Sequence, residues 1–173
     1  MKQLLLALTI SLFFSSVCAQ NLSGPIPDNV KTYLDSTYPG WKLAEHWSSI
    51  GGNPKDYGRT FDLNYFKGDF DGNGKTDFAL HIQHPDSNYK TGYARPMLVL
   101  LTTSKGFERH IINRYAEQYV YFWLHRKGEV VGAAHADTSI KLENDALSVL
   151  VEEKASTLYY FRNGEFVPFS TGD

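Results

Sequence analysis

The run Asp69-Phe70-Asp71-Gly72-Asn73-Gly74-Lys75-Thr76-Asp77 sets oxygen-bearing side chains at its first, third, fifth and ninth places, with glycines between them. That is the spacing with which a chain wraps a hard cation. Calcium takes six to eight oxygens at about 2.3–2.6 Å, and a tight loop delivers them from alternate positions. Asp69, Asp71 and Asn73 offer side-chain oxygens, Lys75 its backbone carbonyl, and Asp77 closes the set as a mono- or bidentate carboxylate. Gly72 and Gly74 give the backbone the freedom for a sharp turn. The alternative is a metal-free polar turn, because Asp, Asn and Gly dominate turns for backbone reasons alone. Such a turn has no need of Asp69 and Asp77.

A helix-loop-helix calcium site requires a bidentate Glu at the twelfth place of its loop, and here that place is Leu80. The flanks point elsewhere. Phe61, Leu63 and Tyr65 alternate with polar residues before the loop, and Phe78, Leu80 and Ile82 alternate after it, so both flanks read as strands. The stretch from Gly68 to Ala79 resembles the calcium loops of FG-GAP and VCBS-type repeats, as found in integrin-like propellers. The resemblance implies a loop joining two adjacent strands, with calcium held by Asp69, Asp71, Asn73, the Lys75 carbonyl and Asp77. It covers about a dozen residues and occurs once, whereas a propeller needs typically four to eight four-stranded blades. The resemblance therefore carries over the loop, not the propeller fold or an adhesive function.

Other groups with chemical potential are weaker candidates. His81 and His84 follow the loop, but residues three apart on a strand face opposite sides, which disfavours a shared zinc ion. His135, Asp137 and Ser139 suggest a hydrolytic triad, yet no Gly-x-Ser-x-Gly elbow accompanies them. Glu143, Asp145, Glu152 and Glu153 supply carboxylates that a glycosidase would use in pairs, but charged turns between strands explain them without catalysis. Aromatic residues make up 14% of the chain. In the segment from Tyr119 to Trp123, alternation puts Tyr119, Tyr121 and Trp123 on one side of a strand and Val120, Phe122 and Leu124 on the other. One side would pack in a core. The other would either be covered or offer an aromatic platform to a protein or carbohydrate.

The elements that position these groups follow from periodicity. Val30, Tyr33, Leu34, Thr37 and Tyr38 recur at helical spacing between Pro27 and Pro39-Gly40, which predicts an amphipathic helix. Strands are expected at Trp41 to Trp47, Phe107 to Ile112, Tyr119 to His125, Ser139 to Leu142, Ala146 to Val151, Thr157 to Phe161 and Glu165 to Phe169. The continuous apolar run from Pro96 to Thr102 predicts a central strand. Gly51 to Gly58 reads as a loop, and short turns are expected at Arg126–Glu129, Glu143–Asp145 and Arg162–Glu165, with Asn163-Gly164 the strongest hairpin signal. The fold class is α+β: mostly antiparallel sheet with one N-terminal helix, and not a propeller.

Residues 1–19 carry Lys2, an apolar stretch from Leu4 to Phe14, and small residues ending Val17-Cys18-Ala19, the pattern of a secretory signal peptide. Cleavage before Gln20 would leave one β-rich domain, residues 20–173, secreted or periplasmic and without cysteine, since Cys18 is the only one. Lipid attachment through Cys18 is a second route, although Ser15-Ser16-Val17 does not match the usual lipobox. The apolar stretch falls short of the about 20 residues that span a bilayer. A formal net charge of −2, with no Lys/Arg cluster, argues against nucleic acid as a partner. The leading expectation is a secreted binding module with structural calcium. A small secreted hydrolase, or an inhibitor or immunity-type protein with an aromatic face, are the alternatives.

Overall fold

The computed structural model describes residues 24–44, 64–114, 120–134, 137–151 and 155–172, and at 113, 114 and 121 the backbone alone. The signal-peptide segment, the Gly51–Gly58 loop, Phe61, Leu63, Tyr119, His135, Glu152 and Glu153 lie outside these residues.

The helix α1 runs Asp28–Thr37. Asp28 stands in its first turn, where the positive end of the helix dipole favours a carboxylate, and pairs with Lys31 at 3.0 Å. Pro39 cannot continue the helix, and Gly40, at φ +73°, turns the chain away. Val30 and Leu34 are fully buried and Tyr38 nearly so, the face that the helical spacing predicts.

Two principal sheets follow, both antiparallel. The first takes β1 (Lys42–Leu43), β2 (Tyr65–Gly68), β3 (Asp77–Pro85), β4 (Tyr93–Ala94), β5 (Pro96–Thr103) and β6 (Gly106–Arg114). Its order is β1-β3-β5-β6, with β2 and β4 also paired to β3. The second sheet takes β7 (Val120–His125), β10 (Ala146–Val151), β11 (Ala155–Arg162) and β12 (Glu165–Gly172), in the order β12-β11-β10-β7. Between β7 and β10, β8 (Val130–Gly132) and β9 (Ser139–Lys141) form a separate two-stranded ribbon. The fold is therefore mostly antiparallel sheet with a single helix among the described residues, and no closed barrel or propeller.

Three layers account for the apolar runs. On one face of the first sheet, Phe78, Leu80, Ile82, Leu98 and Leu100 pack against Val30, Leu34 and Tyr38 of α1. On the other, Ala79, Met97, Val99 and Leu101 meet Val120, Phe122, Leu147 and Val149 of the second sheet. β5 is covered on both faces, so Pro96–Leu101 has no polar alternation to show. The outer face of the second sheet is partly covered by the ribbon, where Leu142, Ala146 and Leu158 form a third small cluster.

Several expected boundaries change. The strand expected from Trp41 to Trp47 is reduced among the described residues to Lys42–Leu43, and Ala44 adds one bond beyond it, N–H to the His81 carbonyl at 3.0 Å. The Glu143–Asp145 turn closes no hairpin: β9 pairs with β8, and β10 pairs with β7 and β11, so this turn carries the chain from the ribbon into the second sheet. Arg126–Glu129 likewise leads from β7 to a strand it does not pair with. Asn163-Gly164 does close the β11–β12 hairpin, with both residues at positive φ (+54° and +87°) as a two-residue turn of that type demands.

Candidate metal centre

The loop Asp69–Asp77 joins β2 to β3, which pair antiparallel from Gly68↔Asp77 to Tyr65↔Leu80. Gly72 and Gly74 sit at φ +77° and +78°, the left-handed region that the two sharp reversals require. The reversals turn three carboxylates inward. One oxygen from each of Asp69, Asp71 and Asp77 lies within 4.8 Å of the others, a grouping able to hold a metal ion.

Each carboxylate is fixed differently. Asp77 is fully buried; its Oδ1 accepts the Thr102 N–H at 2.7 Å and its Oδ2 the Phe70 N–H at 2.9 Å. Burial pushes its pKa up to about 6, with the nearby Asp71 charge adding to the rise and the Thr102 and Phe70 donors opposing it. Asp71 accepts the Asn73 N–H and the Asn73 side-chain amide, at 3.0 and 2.8 Å. Asp69 Oδ2 accepts the Gly74 N–H at 3.0 Å, whereas Oδ1 is shut off from solvent with no hydrogen-bond partner among the described residues. A buried anionic oxygen left without a donor costs about 1–3 kcal/mol or more, and a bound cation removes that cost.

Asn73 stands beside this group rather than wholly in it. Its amide donates to Asp71 and to the Thr102 carbonyl, while its Oδ1 accepts the Lys75 N–H at 2.8 Å. Lys75 is exposed, which leaves its side chain in water.

The loop is anchored from the second sheet by the Glu143–Asp145 turn, whose composition alone reads as surface charge. Asp145, nearly buried, accepts the Asp69 N–H at 3.2 Å, the Lys127 N–H at 3.0 Å and an Arg126 guanidinium N–H at 2.9 Å. Its own N–H donates to the Asp69 carbonyl at 3.1 Å. Asn144 lies so close to Gly72 that a Cβ there would collide with its amide, and a Cβ on Gly68 would meet Asp145 Oδ2 at 3.0 Å. Gly72 in the loop and Gly68 at the end of β2 thus each face a close approach across 70 or so residues of sequence, a signal that local spacing does not contain.

Among the described residues the other candidates do not gather. His81 is buried against Phe122 between the sheets, ring centroids 5.0 Å apart, while His84 lies against Tyr38 on the helix side, so the two do not share an ion. Asp137 and Ser139 are both exposed, and Glu143 is an exposed turn residue. Trp123 is half-buried, with its Nε1–H donated to His125 Nε2 at 2.7 Å.

That imidazole organises a cluster that sequence spacing did not reveal. His125 Nε2 lies 2.8 Å from Ser148 Oγ, and Nδ1 lies 2.8 Å from Glu129 Oε2. The order Ser–His–Glu mimics a hydrolytic relay. Ser148 is buried, however, and sits mid-strand in β10 with β7 and β11 paired on either side, so its backbone N–H is committed to the sheet and no substrate carbonyl reaches its Oγ. Trp123 also occupies the same imidazole nitrogen. The cluster ties β7 to β10 and to the Arg126–Glu129 turn.

No protein-family model, curated protein or solved structure matches this chain. No helix among the described residues is long and apolar enough to cross a membrane.

Proposed function

We propose that the chain is an exported, non-catalytic binding domain in which one calcium ion, held by Asp69, Asp71 and Asp77 with Asn73 and the Lys75 carbonyl, locks the β2–β3 loop against the second sheet. The observation that carries this reading is the buried, unpartnered Asp69 Oδ1 placed beside two further carboxylates. Three negative charges within 4.8 Å repel one another, and Asp77 is additionally held away from water. A divalent cation reverses both penalties. The resemblance of Gly68–Ala79 to FG-GAP and VCBS-type loops supports calcium as the ion. So does an all-oxygen donor set without cysteine or histidine, which suits a hard cation over zinc.

The role of the ion in this reading is structural. Asp69 is tied through Asp145 to the β9–β10 turn, so ordering the loop orders the junction between the two sheets. Titration of the purified protein with calcium chloride in a calorimeter is expected to give one site, and Asp77→Asn is expected to remove most of the heat. The absence of heat from the wild type, or equal binding by Asp77→Asn, would end the proposal.

A further inference from the structure

A cavity of about 140 Å³ opens beside the metal loop, between the ribbon and the β11–β12 hairpin. Its floor is the apolar cluster beneath Ile140 and Leu142, and its wall includes the half-buried ring of Tyr160. Around the rim stand Lys141, Glu143, Asn144 and Arg162. None of these four side chains, nor the Tyr160 hydroxyl, makes a hydrogen bond or ion pair among the described residues. A concave site with an aromatic wall and several unengaged polar groups at its rim has the usual form of a ligand pocket.

We propose that this cavity binds a carboxylated sugar residue, a hexuronate. The chemistry of the rim selects it. Arg162 and Lys141 outweigh the single Glu143, so the pocket favours one negative charge, and a guanidinium grips a carboxylate with two parallel hydrogen bonds. Tyr160 offers a flat apolar face to the C–H side of a pyranose ring. The Asn144 amide and the Glu143 carboxylate supply a donor and acceptors for ring hydroxyls, which an inorganic phosphate would leave unused. The volume is below the about 300–1,000 Å³ of sites for larger organic ligands, which fits one ring and not a nucleotide.

This assignment rests on the reading of the chain as a binding module, and it joins the metal loop through one residue. Asn144 lines the cavity and also lies against Gly72, so the calcium-loaded loop holds one wall of the sugar site in place.

The test is calorimetry of the whole protein at fixed calcium with methyl β-D-glucuronide, methyl β-D-glucoside and sodium acetate. The glucuronide is expected to bind about tenfold or more tightly than either the glucoside or acetate. Arg162→Ala, with Lys141→Gln as a second variant, is expected to weaken glucuronide binding about tenfold while leaving the heat of calcium binding unchanged. The proposal is overturned if the glucuronide gives no heat with protein that binds calcium, if glucoside or acetate binds equally well, or if both variants bind it as the wild type does. Glucuronide binding by a protein that takes up no calcium would remove the metal reading and leave the sugar site standing.

Discussion

The buried Asp77 carboxylate makes the metal-free protein sensitive to pH in an unusual direction. Its pKa stands at about 6 in the fold against 3.8 for the ordinary group. The folded state therefore holds this proton more tightly than the unfolded chain, and stability falls as pH rises from the lower value through the higher. At about 1.36 kcal/mol per pKa unit, ionised Asp77 costs the metal-free fold on the order of 3 kcal/mol, complete above about pH 7, with roughly half of the loss arising between about pH 5 and pH 7.5. The perturbation is Asp77→Asn, which keeps the shape and removes the charge. The amide leaves either the Thr102 or the Phe70 N–H facing another donor, but that cost does not depend on pH. Urea unfolding in chelator should accordingly show the wild type losing about 1.4 kcal/mol relative to Asp77→Asn between about pH 5 and pH 7.5. Saturating calcium should abolish the wild-type loss at the upper pH, because the ion stabilises the carboxylate that burial penalises. A wild-type-to-mutant difference that stays constant across this range in chelator would mean that Asp77 does not carry its proton into the fold as burial requires.

Three other substitutions separate the parts of the loop. Asp71→Asn should leave the chelated protein unchanged or slightly more stable, since the Asp71 charge helps to lift the Asp77 pKa, yet lower the melting temperature in calcium; scanning calorimetry in both conditions reads the sign. Gly72→Ala should cost about 2 kcal/mol in urea unfolding, with calcium present or absent, because it combines positive φ with a collision against Asn144. Asp145→Ala should cost about 3 kcal/mol by the same assay and weaken calcium binding, since the Asp69 and Lys127 N–H groups and Arg126 lose a common acceptor.

What the sequence made legible was whatever depends on neighbours in the chain. The helix from Asp28 to Thr37, the doubly covered strand at Pro96–Thr103 and the Asn163-Gly164 hairpin each have a local period or turn signal, and each forms where expected. The loop from Asp69 to Asp77 was legible for the same reason, and the structure brings its three aspartates together. What was not legible depends on distant partners. Asp145 reads as one more charged turn residue until the fold sets it against Asp69, and β8, three residues long, has too few positions to show alternation. His125 lies four residues from Glu129 but meets Ser148 only because β7 and β10 pair across 23 positions of sequence. The composition of Glu143–Asp145 marks a turn, but composition does not say which strands a turn will join.

If a calcium ion stabilises this fold through the Asp69–Asp77 loop, a thermal melt of the wild-type protein in calcium against chelator at neutral pH reads that stabilisation. Calcium at about one hundred times its dissociation constant contributes about 2.7 kcal/mol to a fold that alone binds it, which for a chain of this size raises the melting temperature by roughly 5 to 10 °C. Such a rise is expected in the wild type, and its loss in Asp77→Asn. Identical melting of the wild type in calcium and in chelator would contradict that stabilisation.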